Sequence, residues 1–467
     1  MYNNPIFTLS KGSEASIDNV RRSIEWNNSR RGNYNRLERY YLGDHDILRR
    51  IKASTLKNNR IVVNHCSYIT DKFVGYLIGN PVDYRTTGDV EQSSIDALVE
   101  ELKKADSPSV DVDLAKSCSI YGRAYEYVYI DDLGTVKTAP IDVRNCVVAY
   151  DDTVEHSPLF AVVYEIDKNG VFGGGRVLTA NEDIVLTPGY TFGERKEHKF
   201  IKVPIVEYKN NGDYKGDFEN VISLVDAYNV LQSDRLNDKE QLVDAILLLL
   251  GFDISATDLE SVDRFRMMKV PAKVGEADAK YITKGLVEAD TDILRQSIED
   301  NIHKISAVPN MNDEKFSGNS SGVALRYKLL DFELATKKKE RQFEVGLIKR
   351  AELYMNYLAF MSKMTAIPVY DIDVVFKRGL PQNDFETSTM INNLQGFVDK
   401  ETLISQLGFI EDASKTLERL EAEKEDMPEL PEFGTDKIRQ VEDLAQEQFV
   451  EKESGVLDKL MGLLKKN

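Results

Sequence analysis

The period of apolar and polar positions changes several times along the chain, and those changes divide it. Residues 14 to 55 mix charge with helical apolar spacing around the single tryptophan, Trp26, which predicts a helical N-terminal arm with a basic tip of Arg21, Arg22, Arg30 and Arg31. In NNRIVVNHCSYITDKFVGYLIGNPVDY, residues 58 to 84, Cys66, Ile69, Phe73, Tyr76 and Leu77 recur at three- and four-residue steps, so a second helix is expected, stopped by Gly79 and Pro81. Between residues 120 and 210 the period falls to two. In AYEYVYI, Tyr125, Tyr127 and Tyr129 share one strand face and Glu126, Val128 and Ile130 the other, and Asp131, Asp132 and Gly134 mark a hairpin turn. Further strands are expected at Asn145 to Tyr150, Phe160 to Ile166, Arg176 to Thr179 and Phe200 to Tyr208. The run Gly173 to Gly175 lacks both the spacing and the following helix of a phosphate cradle, and reads as a loop tip.

From Phe218 to Leu250 neither proline nor glycine interrupts a helical pattern, which predicts a rod of about 33 residues, on the order of 50 Å. Gly251, Pro271, Gly275 and Gly285 then break the pattern around two short strand-like pieces, Met267 to Val270 and Tyr281 to Thr283. A helix resumes with Leu294, Ile298, Ile302 and Ile305 on one stripe, and Glu288, Asp290 and Asp292 suit its positive N-terminal end. VPNMNDEKFSGNSSG, residues 308 to 322, is a loop by every local signal, with Phe316 expected to anchor its base. A second very long helix follows, from Ser320 or Ser321 as N-cap through about Met364, and then a strand from Tyr370 to Lys377 with Asp371 and Asp373 on one face. The stretch from Glu411 is predominantly acidic, divided by Pro428 and Pro431, and reads as a solvated helical tail.

Composition narrows the function. The chain has 467 residues, 42% hydrophobic and 30% charged, enough for about three domains, and no apolar run approaches the roughly 20 residues that span a bilayer. MYNNPIFTLS has no basic-then-apolar signal pattern, so cytosolic synthesis is expected. A formal charge of −18 disfavours a protein that grips DNA phosphates tightly, whereas an acidic surface suits both simple solubility and a conduit past which phosphates slide. Cys66, Cys118 and Cys146 are isolated and lack ligand spacing, which points to buried thiols. The pairs Asp131/Asp132, Asp151/Asp152 and Asp371/Asp373 have no third ligand in a recognisable frame and read as turn and surface residues. His45, His65, His156, His198 and His303 are scattered, and neither a serine elbow nor a Walker A loop occurs, so no catalytic or metal site is expected. The run Lys337 to Lys339 with Arg341, Lys349 and Arg350 reads as a solvated or intersubunit face, with a DNA-facing ring as the alternative.

Three segments carry a resemblance: the 58 to 84 segment quoted above, FENVISLVDAYNVLQSDRLND, and VPNMNDEKFSGNSSGVALRYKLLDFE. All three are similar to the SPP1 Gp6-like portal family of tailed bacteriophages. That resemblance implies an α+β portal fold assembled as a cyclic ring. Beyond the helical arm read from the pattern over 1–55, it implies a wing over 56–217, a first stem helix over 218–250, a clip over 251–286 and a second stem helix over 287–306. A tunnel loop over 307–320, a long wing helix with return strand over 321–382, and a crown with acidic tail over 383–467 would complete it. It further implies a head-to-tail connector, not an enzyme and without cofactor or metal. Twelve copies, or thirteen when made without a capsid, would surround a channel for double-stranded DNA at one capsid vertex of the virion, after assembly in the host cytoplasm.

The partners implied are the terminase ATPase, the major capsid and scaffolding proteins and the head-tail connector proteins, with no membrane. The loop residues expected to face DNA are Asn310, Asn312, Asp313, Glu314, Lys315, Ser317, Gly318 and Asn319, a nearly neutral polar collar that touches phosphates weakly. Arg264, Arg266, Lys269 and Lys273 would give the clip a basic docking surface. A ring also answers a physical problem, since two long apolar-striped helices need neighbours that a small α/β unit cannot supply. The competing readings are a DNA-processing enzyme of the packaging machinery and a purely structural capsid-associated protein.

Overall fold

The computed structural model describes residues 4–53, 57–87, 90–243, 246–250, 267–270, 278–282, 288–311, 327–365, 367–378, 384–405, 407, 410, 416–417, 419–420 and 422. By contacts the chain divides into two units, Met1–Leu380 and Pro381–Asn467. In the second, the described helices are Asp384–Leu394 and Lys400–Ser405.

The first unit begins with β1 (Phe7–Leu9), α1 (Ile17–Asn28), α2 (Arg31–Tyr41) and α3 (His65–Ile78). The predicted arm is not a free arm. Strand β1 pairs in parallel with β5 (Cys146–Asp151), and Val20 and Ile24 of α1 are buried against the same sheet. Arg30 and Arg31 of the basic tip hold the chain together, Arg30 stacking on Trp26 and donating to the Asn4 carbonyl, Arg31 to the Arg144 carbonyl. Next come β2 (Asp83–Thr86), α4 (Asp96–Lys104), α5 (Ser107–Tyr121), β3 (Arg123–Ile130) and β4 (Val136–Ile141). After β5 follow β6 (Pro158–Ile166), β7 (Phe172–Leu178), β8 (Glu182–Leu186), β9 (Phe192–Glu197) and β10 (Ile205–Lys209).

Strands β1-β5-β6-β7-β8-β9 form a six-stranded sheet, antiparallel after its first pair, and β10-β3-β4 form a second, antiparallel sheet. The hairpin between β3 and β4 turns where Asp131 and Gly134 predict it: the Asp131 carboxylate accepts from the amides of Leu133 and Thr135, and Gly134 sits at φ +75°. The glycine run is a correction. Gly173, Gly174 and Gly175 lie inside β7, beside a register shift opposite Glu165 and Ile166, rather than at a loop tip. Packing selects them: a Cβ on Gly175 would lie 2.2 Å from the Val163 carbonyl oxygen, and Gly174 has φ +101°.

The first rod is shorter than predicted. Helix α6 spans Ile222–Val243, and Ile246–Leu250 is instead strand β11. It is the centre of a three-stranded sheet, parallel to β12 (Met267–Val270) and antiparallel to β13 (Asp278–Ile282). The run ILLLL is apolar at every position, so its periodicity fits a central strand as well as a helix, and the two paired neighbours decide it. Helix α7 spans Glu288–Ser306, as its pattern predicts. The second long helix, α8, spans Leu330–Phe360, 31 residues, after a helical turn at Tyr327 and Lys328. It stops before Met364, with Met361 as C-cap and Ser362 in left-handed backbone; its predicted start at Ser320 to Val323 lies outside the described residues. Strand β14 (Ile372–Val375) pairs with β2 and buries Ile372 and Val374 while exposing Asp373.

The largest core gathers α4, α5, β3, β10 and the second half of α8; Gly346 admits the Tyr208 ring there, 2.3 Å from where its Cβ would stand. A second core gathers α2, α3, the start of α6, the end of α7 and the start of α8.

Candidate functional site

Helix α3 starts at Asn64, whose side chain accepts from the Ser67 amide at 3.1 Å, and ends at Gly79. Its residues buried in the second core are Cys66, Ile69 and Phe73, and Tyr68 and Tyr76 pack partly buried beside them. The predicted loop is rooted on this helix at both described ends.

At the first root, α7 ends at Ser306 and Ala307 turns the chain in left-handed backbone, φ +59°. Val308 then drops into the core beside Ile302, both fully buried. His303 Nδ1 donates to the Val308 carbonyl at 2.9 Å, which fixes its tautomer. The Tyr68 hydroxyl donates to the Pro309 carbonyl at 3.0 Å and accepts from the Met311 amide at 3.2 Å, so one phenol holds both sides of Asn310. Behind it lies His65, its ring edge-on to His303 at 5.9 Å and to Tyr228 at 5.0 Å. His65 is buried, its Nε2 lacks a protein partner among the described residues, and burial with the nearby His303 and His45 holds its pKa down to about 4. His45 is satisfied: Nε2 donates to the Tyr40 carbonyl and Nδ1 accepts from Asn229, both at 2.9 Å.

The second root is the start of α8. Phe332 packs between Phe73 and Tyr76, with ring centroids 5.0 and 4.8 Å away, and Tyr76 donates to Glu333 at 2.5 Å. Arg378 pairs with both Glu333 and Glu340. Two turns further, Lys339 is buried, bonded to Asn210 at 2.8 Å and to Asp217, with its ammonium 4.1 Å from the Phe73 centroid. Near the far end Arg350 is fully buried. It donates to Asp111 at 2.5 and 3.3 Å, to Glu126 at 3.3 Å and to the Tyr84 hydroxyl at 2.8 Å. Tyr208 in turn donates to Glu126 at 2.6 Å. Burial lowers the Arg350 pKa and the surrounding acids and phenols raise it, ending well above the ordinary value, so a charged guanidinium is held there. The predicted basic face is thus split. Lys339 and Arg350 are internal, whereas Lys337, Lys338, Arg341 and Lys349 are exposed.

Of the expected loop residues, Asn310 is half-buried and donates to Glu299 at 3.4 Å. Asn312, Asp313, Glu314, Lys315, Ser317, Gly318 and Asn319 lie outside the described residues, and so does Phe316. Of the expected clip residues, Lys269 lies in β12 opposite Leu249, and Arg264, Arg266 and Lys273 lie outside the described residues. The three cysteines are buried and unpaired. Among the described residues no group of three or more His, Cys, Asp or Glu is placed to hold a metal, and no helix is long and apolar enough to cross a membrane. Sequence reasoning missed Tyr68, Phe73 and Tyr76 as loop holders. Phe73 and Tyr76 lie on the recurring apolar stripe of α3, which reads equally well as core packing, and Tyr68 lies off that stripe with no signal of its own.

The chain is 22% identical over 427 residues to the portal protein of Bacillus phage SPP1, covering 84% of each. It is also 22% identical to the portal protein of Clostridium phage phiCD119, covering 85% of this chain and 94% of that one. A solved structure described as "Neck of empty GTA particle computed with C6 symmetry" superposes with a TM-score of 0.41 at 12% identity, over 76% of this chain and 89% of that one. The family profile "Phage portal protein, SPP1 Gp6-like" matches residues 21–429, most of the chain. The chain belongs to that family. It is a portal protein of a bacteriophage, a structural component of the virion portal with a mixed helix and sheet fold.

Proposed function

We propose that twelve copies close into a ring at one capsid vertex, thirteen also closing without a capsid, and that residues 307–320 are the tunnel loop through which double-stranded DNA passes. DNA enters under the terminase ATPase during packaging and leaves through the same channel at infection. The observation that carries this reading is that one helix, α3, holds both described ends of a polar segment, through Tyr68 on one side and Phe73 and Tyr76 on the other. The two roots then fix where the segment meets the DNA path. In this reading 56–217 is the wing, 218–243 and 287–306 carry the stem, strand β11 joins the clip sheet, 321–382 is the long wing helix with its return strand, and 383–467 form the crown and tail. Residues 251–286 are the clip, whose Arg264, Arg266, Lys269 and Lys273 meet the terminase and later the head-tail connector proteins; the major capsid and scaffolding proteins surround the wing.

The test replaces Asp313 and Glu314 together by Lys. Twelve copies of a strongly basic loop form a phosphate trap whose grip weakens with salt. Normal rings that enter capsids yet package slowly, most slowly at low salt, are expected. Wild-type packaging rates across the salt series would remove the loop from the DNA path.

A further inference from the structure

Two helices of the first unit leave large apolar side chains in solvent, along one narrow stripe on α8 and across one broader face, about 140° wide, on α7. On α8 and the helical turn before it, Tyr327, Leu330, Leu334 and Val345 are 74, 46, 50 and 49% exposed. Exposed Lys338 and Arg341 fall between them. At about 100° per residue these six positions lie within a stripe about 80° wide, so it is one face, apolar and basic. Its near neighbours of opposite sign are Asp331 and the half-buried Glu344. On α7, Ile293, Leu294 and Ile305 are 65, 51 and 53% exposed. Asp290 and Asp300 are exposed on the same side, with Lys304 as the one base among them. The acids that serve the chain's own fold are others: Asp292 pairs with Arg235 and Arg295, and Glu299 with Arg295.

We propose that these two faces are the two halves of one intersubunit seam: the apolar-basic face of α8 in one copy packs on the apolar-acidic face of α7 in the next. The occupant is a second copy because a single sequence carries both members of a charge-complementary pair on different helices, which is what a heterologous contact requires. Copies with a formal charge of −18 repel one another at long range, so a local match of opposite charge is needed to align them. The inference rests on the ring reading and deepens it, by assigning the surfaces that close the ring.

The full chain is tested by mass photometry with two variants, K338E/R341E and D290K/D300K, alone, mixed in equal amounts, and combined in one chain. Each variant alone sets like charges against each other and should lose at least nine-tenths of its rings. Both the mixture and the four-substitution chain restore opposite charges and should regain them. Strict alternation of two variants closes only with an even number of copies, so mixed rings should contain twelve and not thirteen. Restoration also shows that the substituted chains fold. Rings from both single-face variants, or losses that neither the mixture nor the combined chain repairs, would overturn the seam while leaving the wild-type ring in place. A wild-type chain that stays monomeric would overturn the ring reading, and the seam with it.

Discussion

Helix α8 and the 309–311 segment facing its start are fastened in opposite ways. In the second half of α8, Arg350 is fully buried among Asp111, Glu126 and Tyr84, its terminal nitrogens bonded to both carboxylates and to the phenol. At the start of α8, Phe332 sits between two aromatic rings while Glu333 pairs with Arg378 and Lys339 with Asp217, and only the facing 309–311 segment is held by neutral hydrogen bonds, those of the Tyr68 hydroxyl. Breaking a buried ion pair typically costs about 3–5 kcal/mol, whereas a neutral hydrogen bond contributes about 1 kcal/mol. The Arg350 network is therefore a deep well and the Tyr68 grip on Pro309 and Met311 a shallow one.

The sharpest way to break this contrast is Arg350→Met. It strands two carboxylates beneath α8 and should destabilise the first unit by about 3–5 kcal/mol, read as the shift of its denaturation midpoint in urea. Adding Asp111→Asn and Glu126→Gln removes the stranded charges and should recover most of that loss. A single variant as stable as wild type would show that the network is incidental to the wing.

Much of this layout was legible in the sequence. The bounds of α7 matched its apolar stripe, and the Gly79 and Pro81 stop gave the end of α3. What escaped notice was decided by tertiary partners. The ILLLL run became a strand because β12 and β13 flank it. Glu126, placed by alternation on a strand face, is fully buried only because Arg350 arrives from more than 200 positions away. Lys339 looked like part of a surface run until Asp217 and Asn210 closed around it. Charge is read from composition, but pairing is not. Tyr68 escaped for the same reason: its helix was visible, and the backbone it grips at Pro309 was not.

An intermediate effect comes from acid, and it should strike the loop end alone. His65 titrates at about 4 in the folded chain, against about 6.5 when unfolded, so folding favours its neutral form. Its contribution is complete above about pH 6.5, declines as pH falls, and is lost once pH passes below about 4. The full loss is about 3 kcal/mol by linkage. His65→Phe keeps an aromatic ring against Tyr228 and cannot be charged. Comparing urea midpoints of wild type and this variant from pH 7.5 to 4.5 cancels the carboxylates common to both. The wild type should lose more stability over that range, and parallel curves would mean that His65 is not a buried neutral group.

The smallest effect sharpens the comparison most, because it reports on the loop root without disturbing the frame. Tyr68→Phe removes one hydroxyl that serves two backbone groups, the Pro309 carbonyl and the Met311 amide. The ring stays and packing is kept, so the expected loss is about 1 kcal/mol, too little to unfold the unit or to dismantle a ring. It should appear locally. A loss of that size raises the population of the opened root about fivefold, and hydrogen exchange at the Met311 amide should quicken by the same factor. Amides around Arg350, at the other end of α8, should keep their wild-type rates, since distant sites act independently. Quickening at both ends together would mean that α8 opens as one cooperative unit, and that a shallow root joined to a deep frame is the wrong description of how this portal holds its loop.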